Sequence, residues 1–143
     1  MGRTTEKIIV KNYGDVVKAS EGIIDVNQIR RIEVDALVDT GSTYVCLAKK
    51  DIELLGLPFH NVINIKTGNG KVSRRTFKGA EIELKGRTFV MEVMENDNED
   101  TPALIGYLLL EALDFVVDPK TQKVIPNPAH DGEWVADLYC LFI

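Results

Sequence analysis

Asp39-Thr40-Gly41-Ser42, directly after the apolar run Ala36-Leu37-Val38, constrains this chain more than any other stretch. It asks for a strand that delivers a carboxylate to its end and a tight turn just beyond. Asp, Gly and Ser are good turn formers, so four residues alone are compatible with an ordinary turn. The chemical reading is sharper. Leu37 and Val38 anchor a buried strand, Ser42 offers a hydroxyl to Asp39, and Gly41 permits close approach of another chain. Thr40 carries a short hydroxyl that both donates and accepts. Two carboxyl groups held a few ångströms apart cannot both ionise, so such a pair shares one proton and can activate a water between its members. The motif occurs once in 143 residues. The second carboxylate must then come from a second copy of the chain.

The surroundings support a site over a bare turn. Thr43 to Leu47 reads as a short strand, followed by a brief helix that Gly56 closes, with Pro58 just beyond. Pro102-Ala103-Leu104-Ile105-Gly106 precedes the leucine-rich helix Tyr107 to Leu113. Asp114 to Pro119 and Lys123 to Pro128 read as two strands around a turn. Upstream, Thr5 to Lys11 and Asp15 to Ala19 read as strands joined at Asn12-Tyr13-Gly14, and Ile29 to Val38 leads into the motif. Phe59 to Lys66, Val72 to Leu84 and Thr88 to Val93 complete the set, with Lys85-Gly86-Arg87 as one turn. Thr67-Gly68-Asn69-Gly70 is the other, where Asn-Gly favours a type I′ hairpin. Many short strands and two short helices predict a closed or partly closed β-barrel.

Three features in this order, Asp39-Thr40-Gly41, the hairpin tipped by Asn69-Gly70, and Leu104-Ile105-Gly106 before a helix, resemble the retropepsin-like, single-domain aspartic proteases. The likeness is to the small bacterial relatives of the retroviral enzymes in particular and runs from about Asp35 to Pro128. It implies an all-β closed barrel of the acid-protease fold with one or two short helices, and a single domain over residues 1–143. It further implies a homodimer with one catalytic Asp39 per subunit, supported by Thr40, Gly41 and Ser42. A mobile flap over Thr67, Gly68, Asn69 and Gly70 would close on a polypeptide substrate. Ala36 and Ile105 would line the cleft with the flap residues, and apolar residues would flank the cut bond. Ser42 stands where retroviral members usually carry Ala, and Thr43-Tyr44 replaces their acidic pair, so their subsite contacts do not carry over. Activity should fall as both carboxylates ionise at higher pH, with Ser42 lowering that limit.

Other chemistries fit less well. A net charge of −5 argues against nucleic-acid or anionic-membrane partners. The short basic stretch Lys71 to Arg75 lies on a hairpin and reads as a solvated strand face. Gly68-Asn69-Gly70-Lys71 lacks the spacing of a phosphate loop. His60 and His130 are far apart, no Cys/His cluster has metal spacing, and the acidic run Glu95 to Asp100 lacks the Gly and Glu of a calcium loop, so no cofactor or metal is expected. Cys46 and Cys140 do not make a disulfide framework. Cys46 reads as a small core residue, and Trp134 and Tyr139 as packing or dimer contacts. No signal peptide or apolar stretch of ~18 residues is visible, which favours a cytoplasmic protein or a domain excised from a larger one. The apolar run from Asp137 to Ile143 suits an intersubunit strand or packing within its own subunit. The competing functional reading is a catalytically silent retropepsin-like module that dimerises or binds peptides.

Overall fold

The computed structural model describes residues 3–136. The strands are β1 (Thr5–Asn12), β2 (Arg31–Val38), β3 (Val45–Leu47), β4 (Phe59–Thr67), β5 (Gly70–Leu84), β6 (Arg87–Glu95), β7 (Ala103–Ile105), β8 (Phe115–Asp118) and β9 (Lys123–Pro126). The helices are α1 (Tyr13–Ser20), α2 (Lys49–Leu55) and α3 (Tyr107–Ala112), with single 3₁₀ turns at Val26–Gln28 and Pro128–His130. Sheet order runs β1-β2-β7-β3-β6-β5-β4, and β1 also pairs with β5. That second pairing closes six strands into a barrel and leaves β4 hanging from the outer edge of β5. Strands β8 and β9 form a separate hairpin.

The long strand β5 serves both parts. Its second half, Ala80 to Leu84, lies between β1 and β6. Its first half, Gly70 to Arg75, leaves the barrel and pairs with β4 alone, while Thr76 and Phe77 pair with both β4 and β6. The break falls at Phe77–Ala80, where the register with β6 shifts and Gly79 takes a φ of 81°. A glycine at a bulge bends the strand outward without steric cost. Inside the barrel, Ile8, Val10, Val45, Leu47, Ile82, Leu84, Leu109 and Leu113 have no exposed surface. Each such side chain contributes about 1.5–3 kcal/mol by leaving water.

Helix α2 follows its sequence signals. Ile52 and Leu55 bury one face, and Gly56 ends the helix at a left-handed φ of 64° with its N–H on Glu53 O. The segment Asp15 to Ala19, expected as a strand, is instead helical. Asn12 caps that helix through its side chain, which accepts from Asp15 N at 3.1 Å, while its amide donates to Leu55 O at 2.8 Å. Asp15 accepts from Arg30 N, Nε and Nη2 at 2.8–3.0 Å. The cap and this ion pair outweigh the strand preference of Val16-Val17. The described residues therefore hold three α-helices rather than two.

The two hairpin turns also differ from expectation. The type I′ geometry belongs to Lys85-Gly86, with φ values of 50° and 84° between the paired residues Leu84 and Arg87. At the other tip, Thr67 pairs with Gly70 around Gly68-Asn69, and the positive φ, 110°, falls on Gly70. The Thr67 hydroxyl accepts from Asn69 N at 3.2 Å and donates to Gly70 O at 2.8 Å. A threonine-stabilised turn thus replaces the Asn-Gly one. The expectations for the apolar run from Asp137 to Ile143, with Tyr139 and Cys140, lie outside the described residues. Among the described residues no helix is long and apolar enough to cross a membrane.

Candidate active site

Strand β2 runs parallel to β7, with Ala36, Leu37 and Val38 opposite Ala103, Leu104 and Ile105. Asp39 extends this ladder by one bond, its N–H donating to Ile105 O at 2.9 Å. The chain then turns sharply, with Ser42 N on Asp39 O at 3.1 Å. The carboxylate of Asp39 is held at both oxygens. Gly41 N donates to Oδ1 and the Ser42 hydroxyl donates to Oδ2, each at 2.9 Å. Asp39, Thr40 and Gly41 are all exposed, so the group is oriented by its own turn yet open to a partner.

Helix α3 locks that turn from behind. Tyr107 N and Leu108 N donate to Ser42 O at 2.8 Å and Thr43 O at 3.2 Å. The approach is possible only because residue 106 is glycine. A Cβ there would lie 2.5 Å from Tyr44 O and 2.6 Å from Ser42 O. The two sequence motifs are therefore one structural unit. The first presents the carboxylate, and the second supplies the strand and helix N–H groups that fix its loop.

Two cavities flank the motif. One, of about 380 Å³, is bordered by Thr4, Leu37, Asp39, Thr40, Leu104 and Gln122. The other, of about 570 Å³, lies between the turn and β4 and is bordered by Ser42, Tyr44, Cys46, Ile63, Ile65 and Met94. Ala36 and Ile105, expected along the cleft, are fully buried in the barrel core beneath the motif. Strand alternation turns their neighbours Leu37 and Leu104 to the open side. Tyr44, Ile63, Ile65 and Met94 were not anticipated at the site. The alternation of Ile63 and Ile65 with polar Asn64 and Lys66 was the one signal that one face of β4 is covered.

The hairpin of β4 and β5 carries Thr67, Gly68, Asn69 and Gly70 at its exposed tip. At its root, Thr76 bonds both Asn61 O and Glu92 Oε1, and His60 contacts the same Glu92 oxygen. Arg75 pairs with Glu95 at 2.7 Å, and Arg74 with Asp97. The acidic run is thus partly engaged by the hairpin. Burial pushes the Cys46 thiol up to about 11, which makes it a poor nucleophile. Trp134 packs by donating from Nε1 to Ala112 O at 3.0 Å.

The geometry has clear relatives. The family described as "gag-polyprotein putative aspartyl protease" matches residues 24–112, which span Asp39, the hairpin and Leu104-Ile105-Gly106. The chain belongs to this family of retropepsin-like aspartic proteases. Among solved structures it is similar to the EIAV protease complexed with the inhibitor HBY-793, with a TM-score of 0.52 at 15% identity over 77% of this chain and 86% of that one. At that identity the likeness concerns the fold, a closed barrel of the retroviral-protease type. No curated protein matches the chain.

Proposed function

We propose that the protein is an endopeptidase that works as a homodimer, with one Asp39 from each subunit forming the catalytic pair. The observation that carries this reading is the exposed Asp39 carboxylate of a motif that occurs once in the chain, held at both oxygens by Gly41 and Ser42 just past the end of β2. The two-fold axis passes between the copies of Asp39, and the interface is isologous. Thr40 of each subunit bonds across that axis. An open cavity bordered by Leu37, Thr40 and Leu104 adjoins Asp39 and leaves room there for a partner to approach.

The pair shares one proton. Its ionised member takes a proton from the trapped water, whose oxygen attacks the peptide carbonyl carbon, while the protonated member donates to the carbonyl oxygen. Collapse of the tetrahedral intermediate breaks the C–N bond as the departing nitrogen receives a proton from the pair. No covalent enzyme intermediate forms. The substrate lies extended beneath the hairpin as an added strand, and the tip Thr67–Gly70 closes over it to exclude water. The apolar lining by Ile63, Ile65 and Met94 favours apolar residues beside the cut bond.

Dilution tests the shared site. Specific activity should fall as the protein is diluted through the range in which sedimentation shows dimers giving way to monomers. Full activity in a strictly monomeric sample would overturn the proposal.

A further inference from the structure

A second basin adjoins the cleft and shares a wall with it. Tyr44 borders both the 570 Å³ cavity beside Ser42 and a cavity of about 580 Å³ on its far side. The far basin is floored by Phe89, Met91 and Leu108 and rimmed by Glu92 and Glu111. No basic residue borders it. Phe89 is 41% and Leu108 37% exposed, a large apolar surface for two adjacent side chains.

The backbone there is open as well. Strand β3 covers β6 only from Val93 to Glu95. Among the described residues, the edge of β6 from Phe89 to Glu92 has no strand on that side, and Leu108, Glu111 and Ala112 at α3 border the same cavity. An uncovered sheet edge beside an apolar floor accepts an extended peptide by strand addition.

We infer that a bound polypeptide continues past Tyr44 into this basin, where an extended segment remote from the cut bond places an apolar side chain on Phe89 and Leu108 next to a lysine or arginine facing Glu92 and Glu111. The inference rests on the proposed peptide cleft and adds a distal recognition element to it. Three features favour this occupant. The basin is separated from the cleft by a single side chain, Tyr44, its free edge matches a chain that is already extended, and its rim is wholly acidic. Glu92 Oε1 is also engaged by Thr76 and His60. Glu111 is exposed at the rim and, among the described residues, forms no ion pair.

The test compares two peptides taken from a library selected on the wild-type protein. One spans only the residues around the cut bond. The other extends it by an apolar-basic segment on the side that reaches the basin, with extensions at each end tried in turn. Cleavage by the wild type, Phe89→Asp and Glu111→Lys is measured, together with binding of both peptides to Asp39→Asn protein carrying the same changes. The expected result is about a tenfold advantage in kcat/KM and affinity for the long peptide, the scale of one buried apolar side chain. That advantage should vanish in both variants while handling of the short peptide stays the same. An advantage that survives both changes, or equal handling of short and long peptides by the wild type, overturns the inference and leaves the protease reading intact. A long peptide that binds selectively to the basin and is never cleaved supports the inference and removes the protease reading. Glu111→Gln serves as the milder companion to Glu111→Lys. Photo-crosslinking from position 89 that reaches residues 137–143 in place of the peptide also overturns it.

Discussion

The Ser42 hydroxyl donates to Asp39 Oδ2 at 2.9 Å, so the residue three places along the turn orients the carboxylate that precedes it. Hydrogen bonds to a charged acceptor are short and worth about 1.5–3 kcal/mol when lost. Ser42→Ala should therefore reduce kcat/KM by about tenfold or more, with little change in thermal stability because the site is exposed. Ser42→Thr, which keeps the hydroxyl, should recover part of the loss. Steady-state kinetics beside a melting curve separates the two effects.

Gly106 carries the coupling between the two motifs. Its missing Cβ lets Tyr107 N and Leu108 N reach Ser42 O and Thr43 O. The obstacles to any larger residue are backbone atoms, which cannot swing aside. Gly106→Ala should cost about 1–3 kcal/mol from overpacking. It should also lower activity by about a hundredfold, the effect of displacing a catalytic group by roughly 1 Å. An alanine variant with wild-type kinetics would show that α3 does not position the carboxylate.

The Arg30 guanidinium, bonded to Asp15, holds that carboxyl well below its ordinary range, at about 2. A carboxyl whose folded value is depressed stabilises the fold fully above its unfolded value of 3.8, and the contribution is lost as pH falls from there through about 2. Arg30→Ala should remove the guanidinium's share of this acid-dependent term, leaving the backbone N–H of residue 30 on Asp15, and lower stability at neutral pH by about 1–2 kcal/mol. Gly56→Ala should act through the same pair. Its Cβ would lie 2.0 Å from Arg30 Nη1, and its φ of 64° already disfavours a side chain. Chemical denaturation at pH 2 to 7 on the single and double variants tests both statements, and the two changes should not add.

Arg87 fastens the segment after β9 to the barrel. It donates to Leu113 O at 2.7 Å and Gly132 O at 3.0 Å and lies over the rings of Phe115 and Trp134, at 4.7 and 5.8 Å from their centroids. Planarity and multiple donors are needed together, so lysine is a poor replacement. Arg87→Ala should cost about 2 kcal/mol and Arg87→Lys more than half of that. Trp134 fluorescence should shift to the red in both as the ring loses its cover.

The loop that carries Asp39 was legible because its requirements are local. An Asp at a strand end, a glycine and a hydroxyl within three residues, and a second glycine before a leucine-rich helix are all written in short stretches. The barrel followed from the count and spacing of strands. Helix α1 was not legible, because Val16-Val17 has strand propensity and the forces that override it, the Asn12 cap and the Asp15–Arg30 pair, involve residues up to fifteen positions apart. The cleft lining was not legible either. Whether Ala36 or Leu37 faces the open side depends on the register of β2 with β7, and Tyr44 comes to border one cavity with Phe89 and Leu108 only once β3 lies along β6.

Digestion of a random peptide library at pH 4 to 7 by the wild type and by Asp39→Asn, purified side by side, decides whether Asp39 is the catalytic group of a protease. Cleavage is expected at acid pH with apolar residues beside the cut bond, and it should be abolished in the asparagine protein while its fold is unchanged. Equal cleavage by both proteins, or none by either, would contradict it.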